Sequence, residues 1–186
     1  GLAVTSGGQL FVADTANDTI RAIAPGAVVT TIAGQAGRTS SVDGQGAAAR
    51  FEDPFSAAVD ADGVIYVADS AAHVIRRITP DGAVTTYAGS PGSFGSADGT
   101  GPGARFYSPF GVAVDSAGNV YVADSFNHTI RKIAAGGIVT TLAGNAQSGG
   151  KTDGAGTTAR FDQPFGIAVD ANGTVYVSDA TANTIR

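Results

Sequence analysis

A stretch of twelve residues occurs four times in this chain, and that recurrence limits the possible folds more than any other feature. LFVADTANDTIR around Asp14 returns as IYVADSAAHVIR around Asp69, VYVADSFNHTIR around Asp124 and VYVSDATANTIR around Asp179, each copy 55 residues after the last. A second block, DGxGxxARFxxPF, starts at Asp43, Asp98 and Asp153 with the same spacing, so no insertion or deletion separates the copies. Such regularity marks a repeat architecture in which each unit packs on its neighbours and packing holds the length constant. The units are 1–55, 56–110 and 111–165, with 166–186 opening a fourth. Residues 111–131 and 166–186 agree at 12 of 21 positions, and the differences concentrate at Ser125–His128 against Ala180–Asn183, which confines variation to one loop.

Within a unit the pattern is that of strands. GVAVD at Gly111–Asp115 is a short apolar run, SAGN supplies a glycine turn, and VYVA at Val120–Ala123 completes a hairpin. TIRKI and IVTTLA follow after two further turns, which gives four antiparallel strands. Side chains alternate along a strand, so runs such as VAV and VYVA are apolar on both faces and both faces need cover. Four-stranded sheets arranged radially, each covered by the next, meet that need, and no segment has the 3.6-residue period of a helical solenoid. The expected fold is an all-β propeller of four-stranded blades, three complete and a fourth begun.

The same residues resemble the NHL-repeat propellers, in the bacterial long-repeat form. GVAVDSAGNVYVADSFNHTIRKI at 111–133, VTTLAG at 139–144 and DGAGTTARFDQPFG at 153–166 carry the resemblance, which extends over the whole chain. It implies a secreted or cell-surface bacterial protein and a ring that closes with more blades than are present here. The chain begins without Met and stops inside a repeat, so we expect it to continue in a longer protein or to be completed by copies of itself at its open blade edges.

Composition narrows the partners. The net charge of −5 lacks the clustered Lys and Arg that phosphate backbones require, so nucleic acid is not expected. No apolar run approaches the roughly 20 residues that cross a bilayer, so membrane insertion is not expected either. There is no Cys, hence no disulfide frame and no thiolate.

The recurring polar residues are expected to serve the fold. Asp14, Asp69, Asp124 and Asp179 end a strand and open a turn, where a carboxylate accepts nearby amides; Arg21, Arg76, Arg131 and Arg186 are candidate partners for them. Asp60, Asp115 and Asp170 end the first strand and suit turn capping, Thr5 replacing them in the first copy. Asp43, Asp98 and Asp153 offer one carboxylate each and no closing Glu, short of the six or more oxygens of a calcium loop; plain turns are expected, paired with Arg50, Arg105 and Arg160. No catalytic residue, metal ligand or cofactor is expected.

Loops on a rigid scaffold carry recognition. The candidates for a ligand-contacting face are Asn17, Asp18, His73, Phe126, Asn127 and His128 in the turn after the second strand, with Arg38, Phe94 and Lys151 in the long loops. The function expected is a non-catalytic binding or scaffold module for a protein, peptide or glycan. The alternatives are a self-assembling ring or fibre, and a segment of a propeller hydrolase or lyase, for which the resemblance to metal-dependent lactonases and amidating lyases would require Glu, His or Asn on inner strands that here read GLAV, SAAV, GVAV and GIAV.

Overall fold

The computed structural model describes residues 1–186 as four sheets set around a common axis. The first blade is β1 (Leu2–Val4), β2 (Leu10–Asp14), β3 (Thr19–Ile23) and β4 (Val29–Gly34), in that order. The second holds β6 (Pro54–Val59), β7 (Ile65–Asp69), β8 (Val74–Ile78) and β9 (Ala83–Ala88), and gains a fifth strand, β5 (Gly44–Gln45), from the loop that precedes it. The third repeats this with β10 (Gly99–Thr100), β11 (Pro109–Val114), β12 (Val120–Asp124), β13 (Thr129–Ala134) and β14 (Ile138–Gly144). The fourth consists of β15 (Pro164–Val169), β16 (Val175–Asp179) and β17 (Thr184–Ile185). All pairings are antiparallel, with β5 and β10 clamping the outer edges at Gly44↔Val84 and Gly99↔Val139. Strands of two residues have no pattern to read, which is why the sequence suggested four per blade.

The doubly apolar strands explain the radial arrangement. Every residue of β7 is buried; Ile65 and Val67 point into the core shared with the first blade, Tyr66 and Ala68 into the core shared with the third. Burying both faces of a strand forces a sheet on either side. The innermost strands lie beside one another, β1 by β6, β6 by β11 and β11 by β15, and their Leu, Ala, Val and Ile side chains line the axis.

The loop from one blade to the next is fastened by a buried ion pair. Arg76 on β8 has no exposed surface, and its Nη1 donates to Asp69 Oδ2 (3.1 Å) and the Arg50 carbonyl (2.8 Å) while Nη2 donates to Asp43 Oδ1 (2.9 Å) and the Val42 carbonyl (3.0 Å). The guanidinium lies over the Phe51 ring at 5.1 Å. Arg131 repeats every contact with Asp124, Asp98, Arg105, Ala97 and Phe106. Asp43 is therefore held by Arg76 of the following blade rather than by Arg50, whose Nη1 instead donates to the Ala47 and Ala49 carbonyls. Likewise Asp69, Asp124 and Asp179 do not cap their own turns through the next amides; each accepts a backbone N–H from 17 residues earlier, at Glu52, Tyr107 and Asp162. Asp60, Asp115 and Asp170 do bond within their turns, to the amides two and four residues on. Gly34, Gly89 and Gly144 sit at positive φ where a Cβ would press on the carbonyls of Asp18, His73 and His128, which is why each blade leaves its outer strand through glycine.

Removing one partner of a fully buried pair leaves an uncompensated charge, so Asp124→Ala should lower the unfolding free energy by about 3–5 kcal/mol at about pH 7.5. Arg21→Met should lower it by less than about 1 kcal/mol, since the partly exposed Arg21–Asp14 pair at 3.4 Å is solvent-screened. Urea denaturation of both variants measures the contrast.

Burial raises the Asp69 carboxyl from 3.8 to about 7 and that of Asp124 to about 6, against the pull of the Arg76 and Arg131 charges. A carboxyl that holds its proton more tightly folded than unfolded favours the folded state below its unfolded value and withdraws that contribution as pH climbs through its folded value. Stability should therefore fall as pH rises from 3.8 to about 7, the interval those values bound. Each group adds a slope of at most about 1.4 kcal/mol per pH unit. Asp124→Asn should flatten its share; a wild-type slope of opposite sign over that interval overturns the assignment.

Candidate functional site

Three aromatic departures from the repeat gather in one place. Phe94 stands where the neighbouring units have Thr39 and Gly149; Tyr107 where they have Glu52 and Asp162; Phe126 where they have Ala16, Ala71 and Thr181. The fold brings the three together. The rings of Phe94 and Tyr107 stack with centroids 4.8 Å apart, and Phe126 meets Tyr107 edge-on at 5.2 Å. His73 stands edge-on to both Phe94 (5.8 Å) and Tyr107 (5.5 Å).

Local backbone bonds set this geometry. His73 and His128 take left-handed φ at the ends of their turns. The Ser108 N–H donates to His73 Nδ1 (3.2 Å), the Gly92 N–H to the Ala72 carbonyl (3.1 Å) and the Phe126 N–H to the Tyr107 carbonyl (3.1 Å), so the β7–β8 turn, the β12–β13 turn and the long loop between blades lie on one face. Burial pulls the His73 imidazole below its ordinary value, opposed by its bond with Ser70 and the Glu52 charge, which suits its Nδ1 to accepting a hydrogen bond.

The patch continues to the axis. Phe110 contacts Phe126 at 5.9 Å and joins Phe55 and Phe165, the equivalent residues of the adjoining blades, in a triangle with centroids 4.8, 5.1 and 5.2 Å apart at the mouth of the apolar channel. Phe94 is 63 % exposed and Phe126 41 %. Aromatic rings ordinarily bury themselves, and offset or edge-on packing among themselves holds them rigid when they do not.

The remaining sequence candidates are distributed otherwise. Asp18 is buried, its carboxylate taken by Thr39 Oγ1 (2.6 Å) and the Asp53 N–H (3.1 Å), and Asn127 is buried with Nδ2 donating to Gly95 O and Asp124 Oδ2; neither presents its polar group to a ligand. These short side chains were needed to hold the loops, and internal bonds have consumed them. Asn17 is exposed but donates to Asp14. His73 and His128 are both half-buried. Arg38 is exposed and makes no contact with the aromatic cluster; Lys151 lines an open depression with Asp153, Phe161 and Arg186. Tyr107 and Phe110 complete the patch without having been singled out: Tyr107 was legible as the aromatic in an otherwise acidic column, whereas Phe110 recurs in step and carried no signal.

Comparison with known proteins agrees with this architecture. Residues 106–133 match the model of the NHL repeat. The chain is 34% identical over 145 residues to human NHL repeat-containing protein 2, an alignment covering 73% of this chain and 19% of that protein. Its fold matches a Bacteroides thetaiotaomicron protein of unknown function with TM-score 0.82 at 27% identity, covering 99% of this chain and 45% of the other. It also matches an auxiliary nutrient binding protein of Bacteroides ovatus with TM-score 0.76 at 22% identity, covering 99% and 46%. Streptogramin B lyase shares the architecture as well, with TM-score 0.68 at 12% identity over 100% of this chain and 49% of the lyase. The chain thus spans less than half the length of each of these proteins. The repeated strands, the matched repeat model and these relatives together identify the chain as a member of the NHL-repeat β-propeller family.

Proposed function

We propose that the chain is a non-catalytic binding module that offers the aromatic patch of Phe94, Tyr107, Phe126 and Phe110 to a protein or peptide. The observation that carries this reading is the coincidence of three repeat-breaking aromatics at one exposed point of the loop face. What breaks the repeat there is apolar surface rather than a nucleophile, base or cluster of acids. Rigid exposed aromatics ringed by polar loops are the composition of interaction hot spots. A secreted or surface location fits the likeness to a nutrient binding protein, and the wider protein would supply further blades. The test is selection of a displayed random peptide library on the chain. Peptides enriched by the wild type should bind F94A/F126A at least about tenfold more weakly, equivalent to roughly 1.4 kcal/mol. Equal binding by the variant, or enrichment only from an oligosaccharide array run in parallel, would count against the reading.

A second reading rests on the end blades. Leu2 and Val29 of the first blade and Tyr176 and Ile185 of the fourth expose 48–72 % of their surface, whereas their counterparts in the second and third blades are buried. A second copy can supply that cover, and light scattering should then report twice the 18.3 kDa chain mass; a single-chain mass counts against self-completion.

A further inference from the structure

Between the second and third blades the interface holds a phenol ring of the chain's own, and between the first two blades the same place holds none. Between the second and third blades, the ring of Tyr87 packs on Tyr66 with centroids 5.4 Å apart, and its hydroxyl reaches across to the Ala134 carbonyl at 3.5 Å. The Tyr66 hydroxyl lies 3.5 Å from Asp60, as the Tyr121 and Tyr176 hydroxyls meet Asp115 and Asp170 at 3.0 and 3.4 Å. In the first blade Phe11 stands for the repeated tyrosine and Thr5 for the repeated aspartate, and Ile32 stands where the second blade has Tyr87 and the third Leu142. The result is a cavity of about 280 Å³ between the blades, walled by Phe11, Ile32, Ile65 and Ile78 and rimmed by polar groups that include Thr5 and Gln9. Thr79, the counterpart of Ala134, also lines it.

We propose that this cavity is a binding site for a small phenol, whose ring occupies the place of the Tyr87 ring and whose hydroxyl donates to the Thr79 carbonyl as Tyr87 donates to Ala134. Three arguments select this chemistry. The walls are aliphatic and aromatic, and an apolar cavity of roughly 150 Å³ already admits a benzene ring. The equivalent space in the next interface holds a phenol ring of the chain itself, so its shape is one the surrounding sheets accommodate. The lining includes the polar residues Thr5, Gln9, Asp62 and Thr79, and a few polar groups on an apolar pocket are what orient a small ligand. The site lies between two blades and shares no residue with the aromatic patch of the loop face.

The experiment titrates p-cresol into the chain labelled with ¹³C at isoleucine methyls. Binding should shift Ile32, Ile65 and Ile78 and raise the unfolding temperature with ligand concentration, since a ligand that binds only the folded state stabilises it by mass action. Ile32→Tyr places the missing ring in the cavity and should abolish both responses; Ile32→Phe, which makes no demand on the rim, should do the same and serves if the tyrosine variant folds poorly. Unshifted cavity methyls in the wild type, or an undiminished response in both variants, would falsify the assignment. An equal response to cyclohexanol, similar in size but not aromatic, would overturn the ligand class.

Discussion

The buried Asp–Arg pair is the interaction on which the rest of this structure depends. A connection running from Gly34 to Pro54, and from Ala88 to Pro109, joins the outer strand of one blade to the inner strand of the next, and without a fixed path it could not hold successive sheets at constant spacing. Arg76 and Arg131 solve this from inside the blade: each reaches one carboxylate of its own sheet, one of the incoming loop and two loop carbonyls, and lays its planar face on a phenylalanine. Lysine could not replace them, because a compact ammonium lacks the flat fork that addresses several acceptors in one plane. The energetic return on such a pair is modest, since desolvating both charges offsets most of their attraction. Its effect is on geometry: a loop displaced by one residue would leave a guanidinium unpaired in the core.

Given that clamp, the sheets only have to supply apolar faces. β7 and β12 are buried on both sides, and each alternates its residues between two cores, so the second and third blades each cover both of their neighbours. The inner strands contribute small and branched residues to a common apolar channel, and the repeated Phe55, Phe110 and Phe165 meet across its mouth. Regularity of this kind makes deviation informative. Phe94, Tyr107 and Phe126 on the loop face, and Phe11 and Thr5 between the first two blades, stand where the other units carry different residues.

The 55-residue period, the doubly apolar strands and the glycine turns were readable directly, because each is a local pattern with one physical interpretation: blades, buried on both faces, in a radial series. The exposure of Phe94 and Phe126 on the loop face was readable too, as variation confined to loops. Other assignments depended on distances that sequence does not encode. Asp43 is seven residues from Arg50 and 33 from Arg76, and proximity along the chain pointed to the wrong partner. Asp18 and Asn127 looked like free loop groups, but the folded loops bury them and use their hydrogen bonds internally. The two-residue strands β5 and β10, the convergence of Tyr107 with His73 and Phe110, and the cavity left by Ile32 all arise where one blade meets the loop or sheet of another. A repeating sequence determines its unit and its pitch, because those are set by short-range pattern and covalent length. Which residues meet between units is decided only by tertiary packing, where a single side chain larger or smaller than its counterpart turns a filled interface into a site.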